Sequence, residues 1–186
     1  TLPYYRAPHL YISIAARFMP HRRVISPEEA ARIGVAPDYF DDCSDCVLMT
    51  SRGGNRYDRT FMEGFLKPGI GPENWISRTN YPVYGLVPAG ETGMSLYIQQ
   101  NYAQPTHRVR RYELRPDGFV SISAPYAGGE FLTKAITFAG TELHLNFATS
   151  AAGSIRVELQ DEQGRAIDGH TLAESEELIG NFIDRV

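Results

Sequence analysis

"YELRPDGFVSIS", residues 112–123, sets two alternating runs on either side of Pro116-Asp117-Gly118. Pro presets φ for a turn, Asp bonds back to its own backbone and Gly accepts positive φ, so the stretch reads as an antiparallel hairpin. The same cadence extends upstream. Strand candidates at 46–52, 56–62, 82–88, 94–101 and 107–114 are separated by turn chemistry such as Gly53-Gly54-Asn55 and Ala89-Gly90-Glu91-Thr92-Gly93. "HLYISIAARFM" (9–19) alternates Leu10, Ile12 and Ile14 against Tyr11, Ser13 and Ala15, a half-buried strand pattern. Antiparallel meanders of this spacing suit a propeller, a barrel or a sandwich.

One helix interrupts them. Ser26 is an N-cap, Pro27 fits the first helical position and Glu29 completes a capping box, with Gly34 as the stop. That predicts about two turns. Beyond residue 125 the texture changes. "FLTKAITFAG", "ELHLNFATS" and "SIRVELQDEQGR" are poorer in Tyr and richer in small residues. The expected organisation is therefore a first region over 1–125 and the opening of a β-sandwich over 126–186. "TLAESEELIG" reads as a loop with a turn of helix, since Thr171 and Glu174 match a capping box.

At 186 residues the chain is long enough for one generous domain or one and a half small ones. A net charge of −4 argues against nucleic acid or an anionic membrane as main partner. The basic stretch His107-Arg108-Val109-Arg110-Arg111 divides between two strand faces and reads as solvated or carboxylate-paired. No apolar run of about 18 residues exists to span a membrane, and no signal peptide is visible. The chain opens on Thr1 and ends on the alternating "NFIDRV", which reads as a piece of a longer protein. Exposed strand edges would then favour self-association.

Cys43 and Cys46 stand in a Cys-x-x-Cys spacing. A redox pair belongs at a helix start, whereas a strand-like run follows here. Zinc needs four ligands, and no second Cys pair or close His pair exists. Two ordinary thiols, a labile disulfide and half a metal site are the alternatives, the first favoured.

Three clusters carry candidate chemistry. In "SRGGNRYDRTFMEGF" (51–65) a glycine turn precedes a candidate strand. Asp58, Thr60 and Met62 would share one face, and Arg59, Phe61 and Glu63 the other. Arg59 and Glu63 could then enter one pocket with Phe61 as a floor; the alternative is a plain hairpin with ordinary salt links. In "GPENWISRTNYPVYG" (71–85) the sole tryptophan, Trp75, is followed by Arg78, Asn80 and Tyr81. Aromatic faces beside multi-donor polar groups suit a sugar's C–H faces and hydroxyls; burial of Trp75 under a long loop is the other reading. Asp41, Asp42 and Asp45 could offer oxygens to calcium, but without EF-hand spacing they read as turn acids. No G-x-S-x-G elbow is present.

The stretches "RAPHLYISIAARF", "DCVLMTSRGGNRYDRTFMEGFLKPG" and "NWISRTNYPVYGLVP" followed by "MSLYIQQNY" resemble the last blades of five-bladed β-propeller proteins. The likeness is to furanosidase-type glycoside hydrolases, the invertase, levanase and arabinanase relatives, and is nearest to uncharacterised members. Residues 107–140 are similar to the passage where the propeller hands over to a C-terminal β-sandwich, and 143–172 resemble that sandwich. The resemblance implies an all-β chain holding about two propeller blades and the start of the sandwich. It implies a secreted or periplasmic carbohydrate-active protein. In such proteins three acids at the central funnel come from the early blades, so partners of any acid here would lie upstream. Glu63 is the candidate catalytic acid, and Asp58, Arg59, Trp75, Arg78, Asn80 and Tyr81 are candidates for sugar binding. No cofactor or metal is expected. A non-catalytic carbohydrate-binding module and a purely structural β-protein are the rival readings.

Overall fold

The computed structural model describes residues 1–186 and is all-β apart from one short helix and one 3-10 turn. The chain divides into two compact units, Thr1–Leu114 and Arg115–Val186. The composition change at residue 125 lies further along.

The first unit holds two antiparallel sheets of three strands. β1 (Leu2–Tyr4), β2 (Ala7–Met19) and β3 (Cys43–Ser51) form one, in that order. β2 and β3 stay in register from Tyr11↔Ser51 to Met19↔Cys43. β4 (Tyr81–Pro88), β5 (Met94–Gln100) and β6 (Arg108–Leu114) form the other. In β5 the apolar residues Met94, Leu96 and Ile98 are buried on one face, while on the other Tyr97 is exposed and only the small Ser95 is buried. Leu96 and Ile98 meet Cys46 of β3, with Ile14, Leu86, Tyr112 and Leu114 packed around them, so one apolar layer joins the two sheets. β4 breaks its pairing between Pro82 and Leu86. Pro82 has no N–H to give a ladder.

The helix α1 (Pro27–Ile33) follows β2 as the sequence predicts. The Ser26 hydroxyl accepts from Glu29 N–H, and the Glu29 carboxylate accepts from Ser26 N–H. Gly34 closes the helix in the left-handed region, at φ 74°. Ala30 of the helix packs with Ile25 and Ile76 in a second small core, covered by Trp75, Phe40 and Val35.

Two expected strands do not form. Residues 56–62 make only a single bridge, Thr50↔Asp58. The Asp58 carboxylate accepts from both the N–H and the hydroxyl of Thr60, so the chain turns instead of extending. Arg17 then takes the carbonyl of Met62 at 2.6 Å, occupying a group that a ladder would need. The face-sharing inferred for Asp58, Arg59 and Glu63 falls with the strand. The second case is the returning arm of the Pro116-Asp117-Gly118 hairpin. The turn forms, but residues 120–124 pair with nothing in a ladder. Pro116 O accepts from Asn146 Nδ2, and Arg115 donates to Asn181 Oδ1, which ties the turn to the strands that follow.

Those strands are β7 (Leu145–Ala148) and β8 (Asn181–Arg185), an antiparallel pair. Phe147 and Phe182 stack between them at 5.7 Å. Single bridges Ile155↔Leu178 and Gln160↔Ala166 extend this second unit. Thr171 and Glu174 form the expected local turn.

Cys43 and Cys46 are both buried free thiols. Three apart on one strand, they project to opposite faces. Burial pushes the Cys46 thiol up to about 12 and Cys43 upward too. Neither thiol should react with iodoacetamide at pH 8 in the folded protein, whereas both should in denaturant. Rapid native labelling, or a disulfide in the intact mass, would contradict the placement.

Candidate functional site

Three loops of the first unit converge, and hydrogen bonds between their backbones hold them together. The loop after α1 joins the loop after β5 through Ala36 N–H to Ala103 O at 2.9 Å. It joins the loop before β4 through Ser77 N–H to Tyr39 O, also 2.9 Å. Asn80 N–H donates to Gln99 O, fixing the entry to β4, and Gln104 Nε2 reaches Glu73 O at 2.7 Å.

The loops bring Arg78 over two tyrosine rings. Its guanidinium lies 5.3 Å from the Tyr39 ring centroid and 5.5 Å from that of Tyr102, within cation–π reach. Nη1 also donates to the Tyr102 hydroxyl at 3.4 Å. Tyr39 and Tyr102 meet edge to face at 5.3 Å, and His107 adds its ring to Tyr102 at 6.1 Å. The Tyr102 hydroxyl raises the guanidinium's pKa further, so its charge is permanent. Arg78 is exposed, and no carboxylate pairs with it among the ion pairs of the unit, which join Arg17 to Asp45, Arg23 to Asp41 and Arg111 to Glu113.

Two further features coincide there. Asp38, Arg78, Asn80, Asn101 and Ala103 all have positive φ, from 54° to 70°. Asn and Asp tolerate that region; Arg and Ala do so at a cost of about 1–2 kcal/mol. Three buried polar atoms find no hydrogen-bond partner: Thr79 Oγ1, Gln100 Oε1 and Asn101 Oδ1. Most such groups in folded proteins are paired. Thr79 and Asn101 adjoin Arg78 and Tyr102 in the chain, and Gln100 precedes Tyr102 by two residues. Strain of both kinds accumulates at functional sites because the surrounding fold must hold it in place.

The other sequence candidates are placed differently. Asn80 is 2 % exposed, and its amide donates to Ser44 O and Asn74 O at 3.2 and 3.3 Å. Its own carbonyl accepts from Cys46 Sγ. It braces the loop that presents Arg78. Trp75 is half-buried over the helix core, with Nε1 donating to Gly69 O at 3.0 Å. Tyr81 starts β4 half-buried, and that burial raises its hydroxyl pKa. Arg59 and Glu63 are exposed in the irregular segment after Asp58. Asp58 is held below the usual carboxylate range by Thr60, which suits neither a proton donor nor a shared site.

The loop acids are also spoken for. Asp45 receives two bonds from Arg17, at 2.8 and 2.5 Å, Asp41 pairs with Arg23, and Asp42 accepts from His21 N–H. No group of three or more His, Cys, Asp and Glu side chains is placed to hold a metal ion. An open cleft of about 210 Å³ lies elsewhere, lined by β1, β2 and β4 residues such as Ile12, Ile14 and Tyr84; it has no carboxylate in its wall. Sequence reading does not single out Tyr39 or Tyr102, and takes His107 only as part of a solvated basic stretch. The signal available was weak: "NYA" (101–103) after a strand, where Asn favours left-handed backbone.

Comparison with family models, curated proteins and solved structures finds no match for the chain.

Proposed function

We propose that the first unit binds carbohydrate through the Arg78–Tyr39–Tyr102 platform, within an architecture of the glycoside hydrolase-like propeller type. The observation that carries this reading is an exposed guanidinium fixed over two tyrosines where three strained loops meet. Aromatic edges and faces take the C–H surface of a pyranose or furanose ring. Arg78, the Tyr102 hydroxyl and the His107 ring supply directional partners for hydroxyls. The two packed three-stranded sheets fit adjacent blades of a propeller, and the second unit fits the beginning of a sandwich; the sequence resemblance supports both.

Binding is favoured over cleavage for the residues of this chain. Glycoside hydrolysis uses two carboxyl groups about 5–9.5 Å apart across the bond. Around the platform, Asp41 and Asp42 already serve Arg23 and His21. Near Glu63 the acids of this chain are engaged as well, Asp45 beside Gly64 by Arg17 and Asp58 by Thr60.

Calorimetric titration with neutral and acidic oligosaccharides tests the proposal. At least one class should bind, and Tyr102→Ala should weaken it about tenfold, the worth of one aromatic stacking contact. Glu63→Gln should bind as the parent does. A flat response to every sugar, or one indifferent to Tyr102→Ala, would rule the platform out.

A further inference from the structure

Resting on the carbohydrate reading just given, we infer that the platform selects an anionic sugar, with Arg78 taking the charge of a uronate carboxylate or a sulfate ester. A neutral sugar needs only a ring face and hydroxyl partners. A guanidinium that is immobilised but not neutralised offers more.

Immobilisation is visible in three contacts. The side chain is fixed by Tyr39, by the Tyr102 ring and by the Tyr102 hydroxyl. The Arg78 carbonyl is held by Gln99 Nε2 at 3.4 Å. Much of the rotamer entropy that an arginine loses on gripping an anion has therefore been lost already. The left-handed backbone at Arg78, φ 58°, belongs to the same presentation.

The charge is left open by the surroundings. Asp41 is paired with Arg23; Asp42 brings its charge near Tyr81, as Arg78 does, but accepts from His21 N–H and forms no ion pair with Arg78. Asp38, beside Tyr39, makes no ion pair with Arg78. Glu73, on the 3-10 turn that Gln104 touches, turns its carboxylate to Asn74 Nδ2. On the other side His107 and Arg108 follow, and Arg108 bonds only to Thr106 O. A chain of net charge −4 thus keeps a local positive site. The planar fork of arginine matches a carboxylate or sulfate through paired bonds, and charge-assisted bonds of this kind are about twice as strong as neutral ones.

The test compares oligogalacturonate, a sulfated oligosaccharide and a neutral galactose oligomer of equal length, by calorimetry at low salt. One or both acidic ligands should bind at least about tenfold tighter than the neutral one, the gain expected of a charge-assisted pair. The tighter of the two identifies the group recognised. Arg78→Gln should erase the difference, so that acidic and neutral sugars bind with equal and weakened affinity at an unchanged melting temperature, and Arg78→Lys should restore part of the preference. Equal affinity for acidic and neutral sugars would overturn this inference and leave the carbohydrate reading standing. A preference that survives Arg78→Gln would overturn it too. No binding of any sugar would overturn both.

Discussion

Asn80→Ala should destabilise the first unit by roughly 3 kcal/mol, the sum of two physical losses. Alanine at φ 70° carries a left-handed cost of about 1–2 kcal/mol, which asparagine largely escapes. Removing the amide also strips Ser44 O and Asn74 O of their donor, and unpaired buried groups cost about 1–3 kcal/mol. Asn80→Gly, free of the backbone penalty, should recover about 1 kcal/mol of the loss. Urea unfolding followed by circular dichroism gives the values. A loss below about 0.5 kcal/mol, typical of surface sites, would show that Asn80 is not the brace described. A loss of sugar affinity at unchanged stability would make it a ligand-binding residue instead.

Leu96→Ala should be the most damaging apolar truncation, costing about 2–5 kcal/mol. Leu96 is 2 % exposed and lies in the layer shared by the two sheets, beside Cys46 and Ile98. A cavity there removes contacts from both sheets at once, and the surrounding strands can collapse only partly. Tyr97 is the internal control: next in sequence, on the opposite face and 37 % exposed, it should cost well under 2 kcal/mol on truncation to alanine. Similar losses at the two positions would mean that the sheets do not stack through this face of β5.

Where side-chain alternation and turn chemistry agreed, the fold was legible. Leu10, Ile12 and Ile14 announced β2, and the 94–101 run announced β5. The box of Ser26 and Glu29 located the helix to within a residue. Residues 56–62 also read as a strand after a glycine turn, yet Asp58 bonds to Thr60 and bends the chain. The period of two cannot register that competition. The arm after Gly118 is a second lesson. Its apolar residues Val120 and Ile122 are exposed, so alternation alone did not secure a partner strand.

The site was less legible than the fold. Arg78 was visible as a donor beside aromatics, but its two tyrosines lie far off in sequence, on loops that only the packed sheets bring together. Asn80 reads as a sugar ligand because it is a multi-donor group beside Trp75 and Tyr81 in the sequence. Its left-handed backbone and buried amide show the other common use of that residue, as a turn brace.

The central claim, that the platform is where sugar lands, is tested most directly by NMR. Spectra of the ¹⁵N-labelled chain, recorded with and without a saturating oligosaccharide, should show shifts of the Arg78 Nε–Hε signal and the backbone amides of Tyr39 and Ala103. Those of residues 59–63 should stay still. Shifts confined to that segment, with Arg78 unmoved, would contradict the account.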